Sequence, residues 1–345
     1  MKNILIISDG IPGHFNQSKG VALMLSETNE CSISIHEMSW RLYFLRSACT
    51  ISARLLLRFK NKIIARGILF MYSPINIQGY DLIIAAGGNT MAISAAIKLA
   101  YSIPAIQLGS PRGLHSSMFN ALITIEKYFD DSSNIVAVIS PNLYSPNVCA
   151  RAAQQDNLSA HLLFLIGGEG IGYSYTLQEW ENMLIEIEDL CFQTKLPISI
   201  VTSRRTSPEV EDLFQSRLKN ILGDYSAWFH HGDKNFNLAA LLGSATNIFV
   251  TEDSAMMISE SISSGKPVTT LYPSNIQSPE RYENHISKYA DLELIKRSPL
   301  YDFEFRSQQD LNIRITEHHD DLVKKLMRAI TVSYTHLTLP TKRIV

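Results

Sequence analysis

One stretch near the N-terminus decides the fold, and it reads Ile4-Leu5-Ile6-Ile7-Ser8-Asp9-Gly10-Ile11-Pro12-Gly13-His14. Its first four residues form a continuous apolar run of β-branched character, which is typical of a central strand in a parallel sheet covered on both faces. A turn rich in glycine and proline follows, and residues 16–25 then predict a helix. Because strand, glycine turn and helix make up a βα unit, this stretch predicts an α/β fold.

The same pattern returns along the chain. An apolar strand at residues 81–86 leads into Gly87-Gly88-Asn89 and a helix predicted over residues 90–101. Further strands are predicted at residues 105–108 and 134–139. Pro141, Pro146 and the polar run at residues 154–159 then predict a linker.

A second set of βα units follows the linker. A strand at residues 161–166 ends in Gly167-Gly168, a helix covers residues 177–194, and a strand at residues 197–202 precedes a helix start at Pro208. Another strand at residues 247–251 meets a helix start at Asp253, and a last one covers residues 268–271. We therefore predict two Rossmann-like doubly wound domains, 1–155 and 156–331, that face each other across a cleft and bind ligands at the carboxyl ends of their strands.

The last segment, residues 332–345, has no helical period and no signal for a partner strand. It resembles the peptide obtained when sequencing-adapter DNA is translated in frame, so we expect a non-native tail that takes no part in the fold.

Length and composition exclude several classes of protein. The chain has 345 residues, 31 basic and 33 acidic side chains and 46% hydrophobic residues, which excludes disordered and fibrous proteins. No apolar stretch reaches the ~18 residues of a membrane-spanning helix, and the N-terminus lacks a signal-peptide layout, so a cytoplasmic protein is expected. The four cysteines show no CxxC pattern and no nearby histidine, so reduced thiols are expected rather than disulfides or a zinc site: Cys31, Cys49, Cys149 and Cys191.

The charge is unevenly distributed. Residues 1–155 carry 13 basic and 8 acidic side chains, whereas the remainder carries 18 and 25. The basic excess is concentrated in residues 38–80, which contain no acid, and apolar residues are interleaved with its cations. This pattern favours an interfacial amphipathic helix against anionic lipid, at the inner face of a membrane, and the alternative is an ordinary core with a solvated basic face. Nucleic-acid binding is not indicated, because no recognition motif is present and the second half is acidic. The seven cations are Arg41, Arg46, Arg54, Arg58, Lys60, Lys62 and Arg66.

Two glycine turns are candidate sites in the first domain. In the turn from Asp9 to His14, the glycines allow close approach of a ligand, the helix start offers N–H groups to an anion, and His14 can exchange protons near neutral pH. This turn matches neither a dinucleotide-binding fingerprint nor a P-loop, and the alternative is a plain turn with a solvated histidine. The second turn, Gly87-Gly88-Asn89, is as consistent with packing as with a ligand contact.

Two further candidates lie in the second domain. Ser203, Arg204, Arg205 and Thr206 offer hydroxyls and bidentate donors suited to a diphosphate, unless the arginines are simply solvated. At the other, Asp253 and Ser254 mark a helix start able to take a phosphate oxygen, and Glu260 can accept hydrogen bonds from ribose hydroxyls.

Three ordered motifs resemble the family named for a plant mitochondrial-fission (ELM) protein, and the similarity extends over most of residues 3–330. The motifs are Ser-Asp-Gly-Ile-Pro-Gly-His-Phe-Asn-Gln-Ser, Thr-Ser-Arg-Arg-Thr and Thr-Glu-Asp-Ser-Ala-Met-Met-Ile-Ser-Glu followed by Gly-Lys-Pro-Val.

The sequence is also similar, more distantly, to the GT-B glycosyltransferases that add N-acetylglucosamine to a lipid-linked peptidoglycan precursor. Their first glycine turn matches Gly10 to His14, their second matches Gly87-Gly88, and their donor helix matches Ser254, Glu260 and Gly265-Lys266-Pro267. Their three-glycine run is replaced here by Asp9-Gly10-Ile11-Pro12-Gly13, which leaves the acceptor side open.

The resemblance implies a GT-B-like glycosyltransferase that moves a sugar from a nucleotide-diphosphate sugar to a lipid-linked or envelope acceptor. The nucleotide-sugar is then a substrate, no cofactor is needed, and no metal is expected, since the chain has no Asp-x-Asp motif. His14 or Asp9 would assist deprotonation of the acceptor, and the second domain, including Gly168, would bind the donor. The acceptor side would be formed by Gly10, Gly13, Asn16, Gly87, Gly88 and Asn89.

Two alternatives stay open. One is a non-catalytic binding or scaffold protein that keeps the fold, as the fission role of the plant relative suggests. The other is a sugar-nucleotide epimerase, although the chain lacks the Tyr-x-x-x-Lys motif and the nicotinamide fingerprint that hydride chemistry needs.

Overall fold

The computed structural model describes residues 2–27, 30–41, 43–219, 225–232, 236–305 and 310–335. The chain divides into two compact units. Unit 1 comprises Met1–Leu143 together with His318–Val345, and unit 2 comprises Tyr144–Glu317.

Unit 1 is built on a six-stranded parallel sheet with the order β2-β1-β3-β4-β5-β6. The order reverses between β1 and β3, which pair directly, so the carboxyl ends of these two strands border the switch point where doubly wound sheets bind ligands. The strands are β1 (Lys2–Ser8), β2 (Cys31–Glu37), β3 (Leu82–Ala86), β4 (Ala105–Leu108), β5 (Ala121–Thr124) and β6 (Asn134–Val136).

Helices cover both faces of this sheet. Successive residues of β1 point to opposite faces, so Leu5 and Ile7 join one hydrophobic cluster and Ile4 and Ile6 join the other. The first cluster is completed by helices α2, α3 and α4, and the second by α1 and by α11, which is the last helix of the chain. The helices are α1 (Pro12–Ser26), α2 (Arg46–Leu57), α3 (Lys62–Leu69), α4 (Met91–Tyr101) and α11 (Leu311–Thr335).

Unit 2 contains a second six-stranded parallel sheet, with the order β10-β9-β7-β11-β12-β14. Counted within the unit, this order is 3-2-1-4-5-6, which is that of dinucleotide-binding Rossmann folds, and its switch point lies between β7 and β11. The strands are β7 (His161–Ile166), β9 (Ile198–Thr202), β10 (Tyr225–Trp228), β11 (Ala245–Thr251), β12 (Val268–Tyr272) and β14 (Lys296–Pro299), with a small antiparallel pair formed by β8 (Tyr173–Ser174) and β13 (Asn275–Ile276).

Local signals set the helix starts in unit 2. The Thr176 hydroxyl and the Glu179 carboxylate form a capping box at the start of α6, and the Ser207 hydroxyl caps α7 just before Pro208. The helices are α5 (Pro146–Asp156), α6 (Leu177–Thr194), α7 (Pro208–Leu218), α8 (Leu238–Ser244), α9 (Ala255–Ser263) and α10 (Glu280–Asp291).

The doubly wound α/β fold is confirmed, whereas parts of the expected organisation differ. Residues 154–156 do not belong to a linker, because Pro146 opens α5 in the first-turn position where a missing N–H costs nothing. The end of the chain was expected in the second domain, but Leu322 and Leu326 of α11 are buried beside Ile4 in unit 1. Of the expected tail, residues 332–335 are helical and residues 336–345 lie outside the described residues.

Candidate functional site

At the switch point of unit 2, the turns after β7, β9 and β11 meet around the Asp253 carboxylate. Asp253 is fully buried; its Oδ1 accepts a hydrogen bond from Thr251 Oγ1 at 2.7 Å, and its Oδ2 pairs with Arg205 Nη1 at 2.9 Å. Arg205 Nη1 also donates to the carbonyl oxygen of Asp253. The structure therefore brings together two of the predicted residues that are 48 positions apart in the chain.

Two glycines fit only as glycines in this arrangement. A Cβ on Gly167 would overlap the Asp253 carboxylate, and a Cβ on Gly168 would overlap the carbonyl oxygen of Arg205. Since any side chain would push the turn away from its neighbours, Gly167 and Gly168 are required for close packing of the backbone at this edge of the sheet.

Hydroxyl groups hold the turn after β9. Ser203 Oγ accepts from the Arg205 N–H at 3.1 Å, and Thr206 Oγ1 accepts from the Ser203 N–H at 3.0 Å while donating to the Gly167 carbonyl at 2.6 Å. Ser203 and Thr206, predicted as diphosphate contacts, are thus turn-forming residues in this structure. Arg204 is exposed.

The two adjacent arginines consequently differ in role. Burial raises the pKa of the Asp253 carboxyl, and the hydrogen bonds from Thr251 and Arg205 offset only part of this effect. The Arg205 charge is engaged by this buried acid, whereas the exposed guanidinium of Arg204 can turn toward an anion. In the described part of unit 2, Arg204 is the predicted cation best placed for a ligand.

Helix α9 begins at this same edge. Ser254 caps it by accepting from the Met257 N–H at 3.5 Å, and Glu260 lies further along the helix with only 7% of its surface exposed. Burial and the nearby charge of Glu260 raise the pKa of Tyr144. Ser254 and Glu260 are therefore carried by one helix, with Glu260 largely enclosed.

A network that sequence reasoning missed supports this helix start. The fully buried Glu252 accepts from Arg297 Nε at 2.8 Å, from Arg297 Nη2 at 2.6 Å and from Thr270 Oγ1 at 2.7 Å. Tyr282 donates to the backbone carbonyl of Glu252 at 2.6 Å. The motif Thr-Glu-Asp-Ser contained the signal, since a glutamate inside a buried strand end needs a charged partner.

At the switch point of unit 1, a histidine and an aspartate form a dyad. His14 Nδ1 lies 3.0 Å from Asp9 Oδ2, and Asn89 Nδ2 donates to the same oxygen at 3.0 Å. The Asp9 side chain is only 2% exposed, while that of His14 is 33% exposed. Gly87 adopts a left-handed φ of +85°, and a Cβ there would overlap the His14 ring.

The dyad defines which nitrogen of His14 can act. If Nδ1 donates to Asp9, as the hydrogen bond indicates, Nε2 carries the lone pair and can accept a proton. Asp9 then orients the ring and stabilises the imidazolium that forms. Gly13 and Asn16 lie in the first turns of α1, and Gly10 lies in the preceding turn with φ +77°.

The basic segment is divided between two uses. Three of its arginines donate to carbonyl oxygens of unit 1, namely Arg41 to Tyr72 at 2.8 Å, Arg54 to Gly88 at 2.7 Å and Arg58 to Gly113 at 3.5 Å. Arg41 and Arg58 are nevertheless exposed, as are the four other cations on α2, α3 and the intervening turn: Arg46, Lys60, Lys62 and Arg66.

No metal centre or membrane span is found in the part of the chain that the structure describes. No three His, Cys, Asp or Glu side chains within it are grouped to hold a metal ion, and all four cysteines are free. Among the same residues, no helix is both long and apolar enough to cross a bilayer.

A family model described as mitochondrial fission ELM1 matches residues 12–302. The chain belongs to this ELM1 family. The comparison of this chain with curated protein sequences found no significant match.

Solved structures resemble it in fold. UDP-GlcNAc 2-epimerase from Methanocaldococcus jannaschii is 11% identical with a TM-score of 0.53, over 95% of this chain and 100% of the epimerase. MurG from Acinetobacter baumannii is 14% identical with a TM-score of 0.47, over 97% and 95% of the two chains. At these identities the likeness concerns the fold alone, and the likeness to the epimerase, with its TM-score of 0.53, agrees with the GT-B-like class of two Rossmann-like units expected from the sequence.

Proposed function

We propose that this ELM1-family protein is a glycosyltransferase that moves a sugar from a nucleotide-diphosphate sugar to a hydroxyl of a lipid-linked or envelope acceptor. The observation that carries the proposal is the Rossmann switch point of unit 2, where an exposed Arg204, the glycine turn Gly167-Gly168 and the start of α9 converge. Such an edge suits a diphosphate, because helix N–H groups and a guanidinium both favour phosphate oxygens. The Methanocaldococcus neighbour is named for a reaction of UDP-GlcNAc, a nucleotide-diphosphate sugar.

In this mechanism unit 2 binds the donor. Ser254 and the first N–H groups of α9 take phosphate oxygens, and Glu260 accepts hydrogen bonds from the ribose. When the bond between the sugar and the diphosphate breaks, Arg204 and the helix start stabilise the negative charge of the leaving group. Arg205 contributes indirectly, by holding Asp253 and with it the turn that precedes Ser254.

The dyad of unit 1 activates the acceptor. As the acceptor oxygen forms its bond to the anomeric carbon, its proton passes to His14 Nε2, and Asp9 stabilises the resulting imidazolium. The packing of Gly87 against the His14 ring favours this role over a scaffold function, since a solvated surface histidine needs no glycine beneath it.

We further propose that unit 1 docks on an anionic membrane surface. Helices α2 and α3 and their flanks expose large apolar side chains, and the exposed cations lie among them. Aromatic and aliphatic groups that insert at the interface, together with lysines and arginines that contact anionic headgroups, are typical of peripheral membrane helices. Among the described residues of this segment, the most exposed apolar side chains are Phe44 at 81%, Ile63 at 79%, Phe59 at 72% and Phe70 at 71%.

Calorimetric titration tests the proposed division of roles. UDP, GDP, ADP and CMP are titrated into the wild-type protein, and the tightest-binding nucleotide is then titrated into Glu260→Ala, His14→Ala and the control Glu209→Ala, whose glutamate is exposed on α7. Glu260→Ala should lose about 1.5–3 kcal/mol of binding free energy, because hydrogen bonds to a charged group are removed. His14→Ala and Glu209→Ala should bind like the wild type.

Two results would contradict the proposal. If none of the nucleotides binds, unit 2 is not a donor site. If His14→Ala and Glu260→Ala lose equal affinity, His14 belongs to the nucleotide site and is not the base.

A further inference from the structure

Two arginine side chains converge on one point of unit 1 beside the His14–Asp9 dyad. Arg54 Nη2 donates to the Gly88 carbonyl at 2.7 Å. The position that a Cβ would take on Gly88 lies 3.3 Å from Arg112 Nε and 3.6 Å from Arg54 Nη2. Two guanidinium groups thus approach the same small volume, although their like charges repel.

Within the described residues, no carboxylate forms an ion pair that compensates this repulsion. Among the ion pairs of the described residues, none includes Arg54, Arg58 or Arg112. Asp9, an acid at this edge of the sheet, is engaged by His14 and Asn89. In addition, Arg54 Nε is buried without a hydrogen-bond partner. Burial and the charge of Arg112 both lower the pKa of Arg54, as expected where an anion would be stabilising.

The backbone conformation of Arg112 also supports an anion-binding site. Arg112 has a left-handed φ of +48°, in a turn that also contains Gly109 at +108° and Gly113 at +87°. A glycine at position 112 would avoid the strain of this left-handed conformation. The arginine side chain is therefore present at a conformational cost. Arg58 Nη2, 3.5 Å from the Gly113 carbonyl, adds a third guanidinium at the same turn.

The location relates this cluster to the chemistry. Gly88 directly follows Gly87, which packs against the His14 ring, so an anion held by Arg54 and Arg112 would lie close to the nitrogen that takes the acceptor proton. Phosphate groups match paired guanidinium groups in both charge and bidentate geometry, better than a single carboxylate does.

We propose that Arg54 and Arg112 bind a phosphate group of the acceptor, which is therefore a phosphorylated or diphosphate-linked compound. The inference rests on the glycosyltransferase function proposed above and names the class of its acceptor. The exposed Leu55 and Phe59, which follow Arg54 and Arg58 on α2 and its end, favour a lipid as the carrier of that phosphate.

The test uses the full chain and three variants of equal charge, Arg54→Gln, Arg112→Gln and the control Lys127→Gln. Lys127 is 66% exposed, pairs with Asp130 and lies between β5 and β6 rather than in either glycine turn. Inorganic pyrophosphate is titrated into each protein after addition of a saturating amount of the nucleotide that binds most tightly among UDP, GDP, ADP and CMP, so that the proposed diphosphate site of unit 2 is already occupied. Arg54→Gln and Arg112→Gln should each weaken pyrophosphate binding about 10- to 100-fold, since a charge-assisted hydrogen bond is lost, and Lys127→Gln should not.

A second arm identifies the source of the phosphate. Sedimentation with phosphatidic acid vesicles is compared with sedimentation with phosphatidylserine vesicles of equal surface charge. A preference for phosphatidic acid that both arginine variants lose assigns a lipid phosphate, whereas variant-sensitive pyrophosphate binding without that preference assigns a soluble phosphorylated acceptor.

The outcomes separate this inference from the proposed function. Equal pyrophosphate affinity in the wild type and both arginine variants would overturn the acceptor site, even if UDP binds. Failure of all four nucleotides to bind would contradict the donor site alone, because the loss of pyrophosphate affinity in the two arginine variants still reports on the site in unit 1.

Discussion

The neighbouring arginines 204 and 205 should respond in opposite ways to the same substitution. Among the described residues, Arg205 is the one charged partner of the fully buried Asp253 carboxylate, and Arg205→Met removes it, whereas Arg204→Met changes an exposed side chain. Breaking a buried ion pair from one side costs about 3–5 kcal/mol of unfolding free energy. Since Thr251 and the Gly168 N–H still bond to Asp253, we expect the lower end of that range, about 3 kcal/mol.

The stability deficit of Arg205→Met should depend on pH. Burial already raises the pKa of Asp253 in the folded protein above its unfolded value, so its contribution to stability falls as the pH rises through the folded pKa. Loss of the Arg205 charge raises the pKa of Asp253 in the folded protein further, and so extends the pH range over which the contribution of Asp253 to stability falls. The deficit should therefore grow as the pH rises above the ordinary carboxyl pKa of about 3.9, and shrink in acid, where Asp253 is protonated.

The free energy of unfolding of both variants is measured by urea titration at pH 5 and at pH 8, with tryptophan fluorescence as the probe. Trp180 and Trp228, two of the three tryptophans, lie in unit 2 and report on it. Arg204→Met should unfold within about 0.5 kcal/mol of the wild type but bind the nucleotide more weakly. Equal stability of the two variants, or a deficit in Arg205→Met that is larger at pH 5, would refute the assignment of Arg205 to Asp253.

Two further substitutions test the site and the membrane face. Gly87→Ala should lower turnover by about 10²–10⁴-fold with unchanged nucleotide affinity, because the new Cβ displaces the His14 ring. Gly67→Ala, whose new Cβ would lie in open space on α3, should raise the free energy of unfolding by about 0.5–1 kcal/mol. Ile63→Ser should reduce sedimentation with anionic vesicles without changing the unfolding midpoint, and Ile185→Ser, on the exposed side of α6, should change neither. Unchanged turnover in Gly87→Ala, or unchanged sedimentation in Ile63→Ser, would contradict the respective role.

Much of the fold could be predicted from the sequence because its central strands are buried on both faces. Such strands are continuous apolar runs that end at glycine turns, so β7 (His161–Ile166) was predicted with the bounds that the structure has. The amphipathic helix α6 (Leu177–Thr194) was also predicted with its observed bounds. The unit against which α11 packs could not be predicted in this way. Its apolar face identifies a buried helix, but nothing in its period distinguishes the core of unit 1 from that of unit 2.

The candidate site was predictable in location and less so in detail. The switch-point rule places Asp9, Gly87, Gly168 and Asp253 correctly at the carboxyl ends of strands. It does not distinguish a side chain that faces a ligand from one that holds a turn, and Arg205 and Thr206 proved to be of the second kind in this structure.

The basic segment shows the same limit. Charge counting treated its seven cations as one surface, yet three of them reach carbonyl oxygens of unit 1. Arg112 was missed because its partner Arg54 is distant in sequence, although the stretch Gly-Ser-Pro-Arg-Gly after β4 carried a signal, since an arginine among turn glycines is unusual for a purely structural turn.

Transfer of labelled sugar tests directly whether this protein is a glycosyltransferase. Wild-type protein is incubated with radiolabelled UDP, GDP, ADP and CMP sugars and a membrane lipid extract, and the label in the organic phase is counted. We expect one donor to transfer label to the organic phase with stoichiometric release of its nucleotide, and His14→Ala to bind this nucleotide but transfer none. Label that stays in the nucleotide sugar with every donor, or that is transferred equally by His14→Ala, would contradict the proposed function.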